Sequence, residues 1–287
     1  MNWIVVGFLM FACSVPAYLL IRRATIVGMP LAIQNLACFL VPLLLYIPLA
    51  TYSRTPLTVT AYQLIILIMS AVLFSYLGAK FSLLSMQYAP NPGYSLVISK
   101  SYVVFTTLFA IIFFHATLSF QAAIGVAFIV AFSAIIMIDP KKKQSSHTRS
   151  IWLPLTMATF FCWGMLAVAS KYLLDIGVPI YTRLIYILAI VSILIFVDMK
   201  KERVTITRMS LQQWVLFVAI GVLFTGFNYF MQLGYQVAPN IGYINAVNAA
   251  SIAFVTVGAT ILFHDEFNIR KFVGVIGVIA GLVLLVL

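Results

Sequence analysis

Apolar residues along this chain fall into ten segments of about 20 residues, separated by short polar breaks. About 20 residues of α-helix cross the hydrocarbon core of a bilayer, so each segment is long enough to span a membrane. The pattern therefore predicts an all-α integral membrane protein, with transmembrane helices over 2–21, 30–51, 61–87, 92–114, 119–138, 151–174, 179–197, 211–236, 241–263 and 268–287. We expect 2–21 to be a helix and not a secretory signal, because no basic region precedes Trp3.

The same residues recur within these segments at a spacing of 149 positions. Gln63 is matched by Gln212, and the run Ala-Pro-Asn-x-Gly-Tyr at 89–94 returns at 238–243. Each copy holds five predicted spans, and an odd number inserts the second copy inverted relative to the first. The predicted organisation is a first five-helix repeat over 1–138, a basic linker over 139–150 and a second, inverted five-helix repeat over 151–287.

Composition and charge placement limit the partners of the chain. With 64% hydrophobic and 8% charged residues, the composition is far from that of a soluble domain. The net charge of +11 is concentrated in four short segments, which the sequence assigns to loops at Arg22–Arg23, 141–149, 200–208 and Arg270–Lys271. Alternating helices put all four on one side, so the positive-inside rule explains them better than nucleic-acid binding does. We predict a multi-pass protein of the plasma (inner) membrane with cytoplasmic basic loops and both termini outside.

Motifs for catalysis or cofactor binding are missing from the sequence. It carries no P-loop and no Cys, His and carboxylate spacing suited to zinc. His115 and His264 stand at equivalent predicted helix ends, where we interpret them as interfacial residues inherited with the repeat. The sequence thus predicts no enzyme activity, catalytic residue, metal or cofactor.

Two lysines lie at membrane depth. Lys80 and Lys100 are each about eight residues from the turn at 89–94, which is about 12 Å along a helix, while every Asp and Glu lies at a predicted helix end or in a loop. Each lysine could snorkel to the headgroups or face a wet cavity. Lys80 shares a face with Tyr76 and could reach water easily, whereas Ser99 beside Lys100 keeps its surroundings polar. A cavity is favoured for Lys100, where it would select a carboxylate or phosphate.

Amides supply a second polar set. Asn245 and Asn248 share a face of the ninth predicted helix, and Asn228 and Gln232 share a face of the eighth. They could bond between helices or line a cavity, and both possibilities stay open. Trp163 lies too deep for an interfacial belt, so it is either core packing or an aromatic wall. The candidate substrate-binding residues are Lys100, Asn245, Asn248, Trp163, Asn228, Gln232, Tyr76 and Lys80.

Several of these features resemble a known family. Cys162-Trp163-Gly164 with the later Lys171, Arg183 early in the seventh helix, and the two Ala-Pro-Asn turns are similar to the drug/metabolite transporter superfamily, in particular its EamA-type branch. The first half departs from the pattern, since Ser14-Val15 replaces the Trp-Gly pair and the acidic residue before the last helix of the half is missing. The resemblance implies secondary transport of small metabolites, often export of amino acids.

We therefore expect a secondary transporter, an exporter of a small polar metabolite such as an amino acid or related carboxylate. Helices 1, 3, 4, 6, 8 and 9 should surround a midplane cavity, with helices 5 and 10 peripheral, and alternating access should come from rocking of the two halves. One alternative is transport of a phosphorylated or lipid-linked intermediate; another is a non-transporting scaffold with a solid interior. The expected partners are a small-molecule substrate and the lipid bilayer. The chain is a monomer, or a homodimer through Gly277-x-x-x-Gly281.

Overall fold

Ten membrane-length helices account for most of the structure. The computed structural model describes residues 2–89, 92–138, 151–206, 209–264 and 266–287. Within those ranges the regular structure is helical, which confirms the predicted all-α membrane fold. The helices are α1 Trp3–Ile26, α2 Leu31–Tyr52, α3 Ala61–Tyr88, α4 Tyr94–Phe114, α5 Phe120–Met137, α6 Trp152–Asp175, α7 Ile180–Lys201, α8 Leu211–Val237, α9 Ile241–Phe263 and α10 Ile269–Val286.

Two helices run further than their apolar segments predict. α1 continues to Ile26 and α7 to Lys201, so Arg22–Arg23 and Lys200 lie in the last turns of helices and not in loops. The prediction ended these helices where hydrophobicity ended. Backbone hydrogen bonding does not stop there, and cations near a helix C-terminus interact favourably with the helix dipole.

The ends of α3 and α8 show how the two halves correspond. Thr60 and Gln63 form a capping box at the start of α3, and Ser210 and Gln213 form the same box at the start of α8. Gln63 therefore corresponds to Gln213, at a spacing of 150, and the match to Gln212 was wrong. Both helices end at the alanine of the Ala-Pro-Asn run, where the spacing is again 149. α3 thus contains one more residue than α8.

A π-helical segment inside α3 accommodates this extra residue. Residues Ser70–Leu77 are π-helical, whereas α8 is α-helical throughout. A π turn bonds residue i to i+5 in place of i+4, so it takes in an additional residue without changing the helix ends. The insertion changes the direction of side chains within the segment, those of Ser75 and Tyr76 among them.

The α4 helix is interrupted at the residue that follows Lys100. The membrane span Tyr94–Phe114 consists of two helical parts, of which the first begins just before it: Pro92–Lys100 and Tyr102–Phe114. Ser101 between them has a ψ of 1°. The Ser101 hydroxyl donates to the carbonyl of Ile98 at 2.6 Å, a local bond that competes with regular helix hydrogen bonding. The corresponding helix in the second half, α9, is continuous. The first half therefore carries both irregular helices.

Helices from the two halves pack against each other in pairs. α1 packs on α8 and α6 on α3, while α2 packs on α7 and α5 on α10. Hydrogen bonds between the halves are also reciprocal. Gln63 Nε2 donates to the carbonyl of Ile176 at 3.4 Å, and Gln213 Nε2 donates to that of Val27 at 3.2 Å. In each half, one glutamine thus binds the loop that follows the first helix of the other half.

Small residues bring α5 and α10 into backbone contact. A Cβ atom on Gly281 would lie 2.9 Å from the carbonyl oxygen of Gly125, and one on Gly277 would lie within the ring of Phe132. The Gly277-x-x-x-Gly281 pattern is therefore used for packing within the chain.

Equivalent histidines end two helices. His115 follows α4 with a φ of 51°, and His264 follows α9 with a φ of 55°, both in the left-handed region. Histidine is one of the residues found in this conformation more often than most. Some predicted features, namely the linker over 139–150, Pro90–Asn91 and Asp265, lie outside the described residues. The second turn is described, and Asn240 there accepts from the Gly242 N–H at 2.8 Å to cap α9.

Candidate functional site

A cavity of about 360 Å³ lies between the two halves. Eight helices line it, because α2 and α7 contribute side chains as well as α1, α3, α4, α6, α8 and α9. α5 and α10 contribute none of its lining residues. The volume falls in the range of small-molecule pockets. The scaffold alternative predicted a solid interior, and this cavity contradicts that prediction.

Lys100 points into this cavity. Its Nζ lies 4.9 Å from the ring centroid of Trp163, a cation–π contact between α4 and α6. Trp163 is fixed by an edge-on contact with Tyr102 at 6.2 Å and by the close approach of α3 at Gly78. Lys100 is half-buried, and its ammonium group lies against the aromatic ring. Snorkelling would instead take it toward the headgroups. Trp163 therefore acts as an aromatic wall beside the lysine.

Arg183, early in the seventh helix, supplies a second cation and was not among the candidate residues. It is 2% exposed, lines the same cavity and donates from a terminal nitrogen to the hydroxyl of Ser170 on α6. Its Nε is buried and has no hydrogen-bond partner. The repeat places Gln34 at the corresponding position, where the amide is satisfied by the carbonyl of Met29 at 2.7 Å. The second half thus replaces a satisfied amide with an incompletely bonded cation.

Three of the predicted amides line the cavity. Asn228, Gln232 and Asn248 all face it, and Gln232 Oε1 and Asn248 Oδ1 are buried without a partner. Unsatisfied buried polar atoms are uncommon in proteins, so these atoms are available to a ligand. Asn245 differs: it accepts from the Tyr235 hydroxyl at 2.6 Å and donates to Thr106 Oγ1 at 3.0 Å. The structure places Asn245 between helices and away from the cavity surface.

Tyr76 and Lys80 line a neighbouring cavity of about 240 Å³. Lys80 Nζ lies 2.8 Å from Asp198 Oδ2 on α7, and the Tyr76 hydroxyl donates to the same oxygen at 2.5 Å. The two cavities share the lining residues Asn35, Phe39 and Ala79. Lys80 is therefore paired in the neighbouring cavity, apart from the group around Lys100.

The two cavities differ in charge. Among the described residues, the lining of the central cavity includes Lys100 and Arg183 but no Asp or Glu. The neighbouring cavity balances Lys80 with Asp198 and Glu202. The central cavity is thus electropositive and favours anions.

This arrangement is that of a membrane transporter, in which a small polar cavity lies at the junction of two helical halves. Residues 150–287 match the EamA-like transporter family. For that part of the chain, the match confirms the resemblance to EamA-type drug/metabolite transporters found in the sequence. A solved crystal structure has the same fold, with a TM-score of 0.76 and 14% identity over 98% of this chain and 95% of the other. A search of curated proteins finds no match.

Arg183 was the main cavity residue that sequence reasoning missed as a site. Its position early in a span resembled that of a surface charge, and only the packing of α7 on α2 and α3 turns it inward. One signal was available, since the repeat aligns Arg183 with a polar residue, Gln34, at an apolar helix start. Tyr102 and Asn35 were missed because neither stands out among the chain's many tyrosines and polar helix-end residues.

Proposed function

We propose that this chain is a secondary transporter of a small polar metabolite that carries a carboxylate, such as an organic acid or an amino acid. The observation that supports this most directly is the electropositive central cavity. Lys100 over Trp163 provides the cation for the carboxylate, and the buried oxygens Asn248 Oδ1 and Gln232 Oε1, which have no partner, can accept from donor groups elsewhere on the metabolite. Export is the direction that the family resemblance favours.

The proposed mechanism is alternating access between two oppositely inserted halves, 1–138 and 151–287. The reciprocal bonds of Gln63 and Gln213 support it, because each tethers one half to the other through a single side chain. Rocking of the halves would exchange one set of contacts for the other while the cavity keeps its place. The cavity volume suits a small solute better than a lipid-linked one.

Lys100→Ala tests this function. We expect wild-type protein in liposomes to exchange a radiolabelled carboxylate, and Lys100→Ala to lose most of that exchange because the cation that attracts the carboxylate is gone. Lys201→Ala is the matched control, since it removes an exposed cation at the end of α7. Equal exchange by wild type and Lys100→Ala, with both proteins monodisperse, would remove Lys100 from the site.

A further inference from the structure

The central cavity holds two cations that are separated along α6. Lys100 contacts Trp163, and Arg183 contacts Ser170. These two partners are seven residues apart on one helix, which is about 10 Å along its axis. The cations therefore sit toward different ends of the same cavity.

Both positions are unfavourable for a positive charge in the empty cavity. Arg183 lies in the first turn of α7, where the helix dipole is itself positive. Its guanidinium has five N–H donors, Ser170 takes a bond from one of the terminal nitrogens, and Nε has no partner. Lys100 Nζ contacts the ring of Trp163. Among the residues that the structure describes, no carboxylate lies within ion-pair distance of Nζ. A ligand with negative charge would relieve both.

The same lining disfavours a cationic group on the ligand. A carboxylate or an open aromatic face would balance the charge of an organic ammonium group, and the ring of Trp163 is already covered by Lys100. The unpartnered oxygens Gln232 Oε1 and Asn248 Oδ1 can accept from an N–H or O–H group of the ligand, but they carry no charge to balance an ammonium group. The described lining offers no carboxylate in its place. A zwitterionic cargo would therefore bring its ammonium group between two like charges.

We propose that the cavity selects an elongated dianion with one anionic group at each end, one held by Arg183 and the other by Lys100. A dicarboxylate has this chemistry, as does a carboxylate joined to a phosphoryl group. Arg183 takes its group in a bidentate fashion, as guanidinium groups bind carboxylate and phosphate. Lys100 holds the second group as a point charge beside Trp163. This inference deepens the proposed function and rests on the central cavity being the transport site.

Calorimetry and thermal shift with purified protein test the ligand class. The probes are succinate, glutarate and 3-phosphonopropionate as two-ended dianions, butyrate as a monoanion, glutamine as a zwitterion and inorganic phosphate as a one-ended anion. We expect a two-ended dianion to bind about 30-fold tighter than butyrate, glutamine or phosphate, the factor that corresponds to losing one desolvated charge pair. Comparison of succinate with 3-phosphonopropionate shows whether the second group is a carboxylate or a phosphoryl group. Equal or tighter binding of glutamine, butyrate or phosphate would overturn the proposal.

Charge variants assign the two ends. Arg183→Gln and Lys100→Gln should each reduce dianion affinity by about 30-fold while leaving butyrate affinity within a few-fold, so that the preference for a dianion disappears. Lys171→Gln is the control, because Lys171 is paired with Asp175 at 2.7 Å and does not line the central cavity. If Arg183→Gln does not fold, Lys100→Gln alone still tests the preference. A variant that folds and keeps the full preference contradicts the proposal.

Transport in liposomes separates this inference from the proposed function. Exchange of a monocarboxylate or a zwitterion in preference to every two-ended dianion would keep the transporter and reject the dianion. Binding of succinate at the cavity without exchange of any probe would keep the dianion site and reject the transport function.

Discussion

At the scale of single residues, one glycine determines how closely α9 approaches α4. A Cβ atom on Gly242 would lie 1.9 Å from Thr107 Oγ1 and 2.9 Å from the Thr107 Cα, and the second of these atoms cannot move aside. Asn240 donates to the Thr107 carbonyl at 3.3 Å next to this contact. The start of α9 is thereby fixed against the second part of α4, beyond the interruption at Ser101.

Gly242→Ala should therefore destabilise the protein. Overpacking of this kind costs about 1–3 kcal/mol, so we expect a clearly lower Tm in detergent for the variant. Gly7→Ala is the matched control on α1, because its added Cβ would meet its nearest neighbour at an ordinary 3.8 Å. A Tm for Gly242→Ala equal to that of Gly7→Ala would show that the two helices are further apart than described.

At the scale of the element, α3 is the helix in which the two halves differ most. α3 contains one residue more than α8, and its π-helical segment Ser70–Leu77 accommodates that residue. Within the segment, Ser75 lines the central cavity and Tyr76 lines the neighbouring cavity. π-helical segments are often found at functional sites. α3 and α8 begin with the same capping box and end at the same alanine. The extra residue therefore changes the side chains that face the cavities and leaves the helix ends unchanged.

Deletion of Leu73 should convert α3 into a regular helix. Leu73 is exposed on the lipid side of the segment, so little packing is lost, and the helix becomes as long as α8. We expect a folded protein with nearly unchanged Tm but little transport, because the residues on both sides of the segment keep their positions while Ser75 and Tyr76 within it change direction. Far-ultraviolet circular dichroism, Tm and liposome exchange provide the measurements.

The control for this deletion is removal of Val222 from α8. Val222 is similarly exposed, but α8 has no extra residue to give up. Its loss should break the register of the helix and lower Tm strongly. Equal damage from both deletions would show that the π segment does not hold a spare residue.

At the scale of the whole molecule, the distribution of charge predicts how the bundle lies in the membrane. α1 and α7 both end in basic residues, and Gln213 joins the start of α8 to the loop that follows α1. These basic ends therefore face the same side of the bundle. The positive-inside rule predicts that this side is cytoplasmic and that both termini are outside.

Cysteine labelling measures this orientation. In a background with Cys13, Cys38 and Cys162 replaced, Asn2→Cys should react with an impermeant thiol reagent in intact cells. Lys201→Cys should react only after the cells are permeabilised. The opposite pattern would reverse the topology, and labelling of both sites in intact cells would indicate mixed insertion.

The sequence by itself determined the number, type and approximate limits of the helices, because each must satisfy its own backbone hydrogen bonds and present about 20 apolar residues to lipid. It also predicted a cavity position for Lys100, since a charge at membrane depth is costly enough to stand out in any apolar segment. These properties depend on local composition. They do not require knowledge of which helix faces which.

The tertiary structure alone decided which polar residues share one cavity. Asn245 and Asn248 lie on the same face of α9, yet one bonds to Tyr235 while the other faces the cavity, because the neighbouring helices differ along that face. Arg183 became a cavity residue only because α7 packs on α2 and α3, from where its side chain reaches Ser170 on α6. Periodicity gives the direction of a side chain relative to its own helix, and what it meets there depends on partners distant in the sequence.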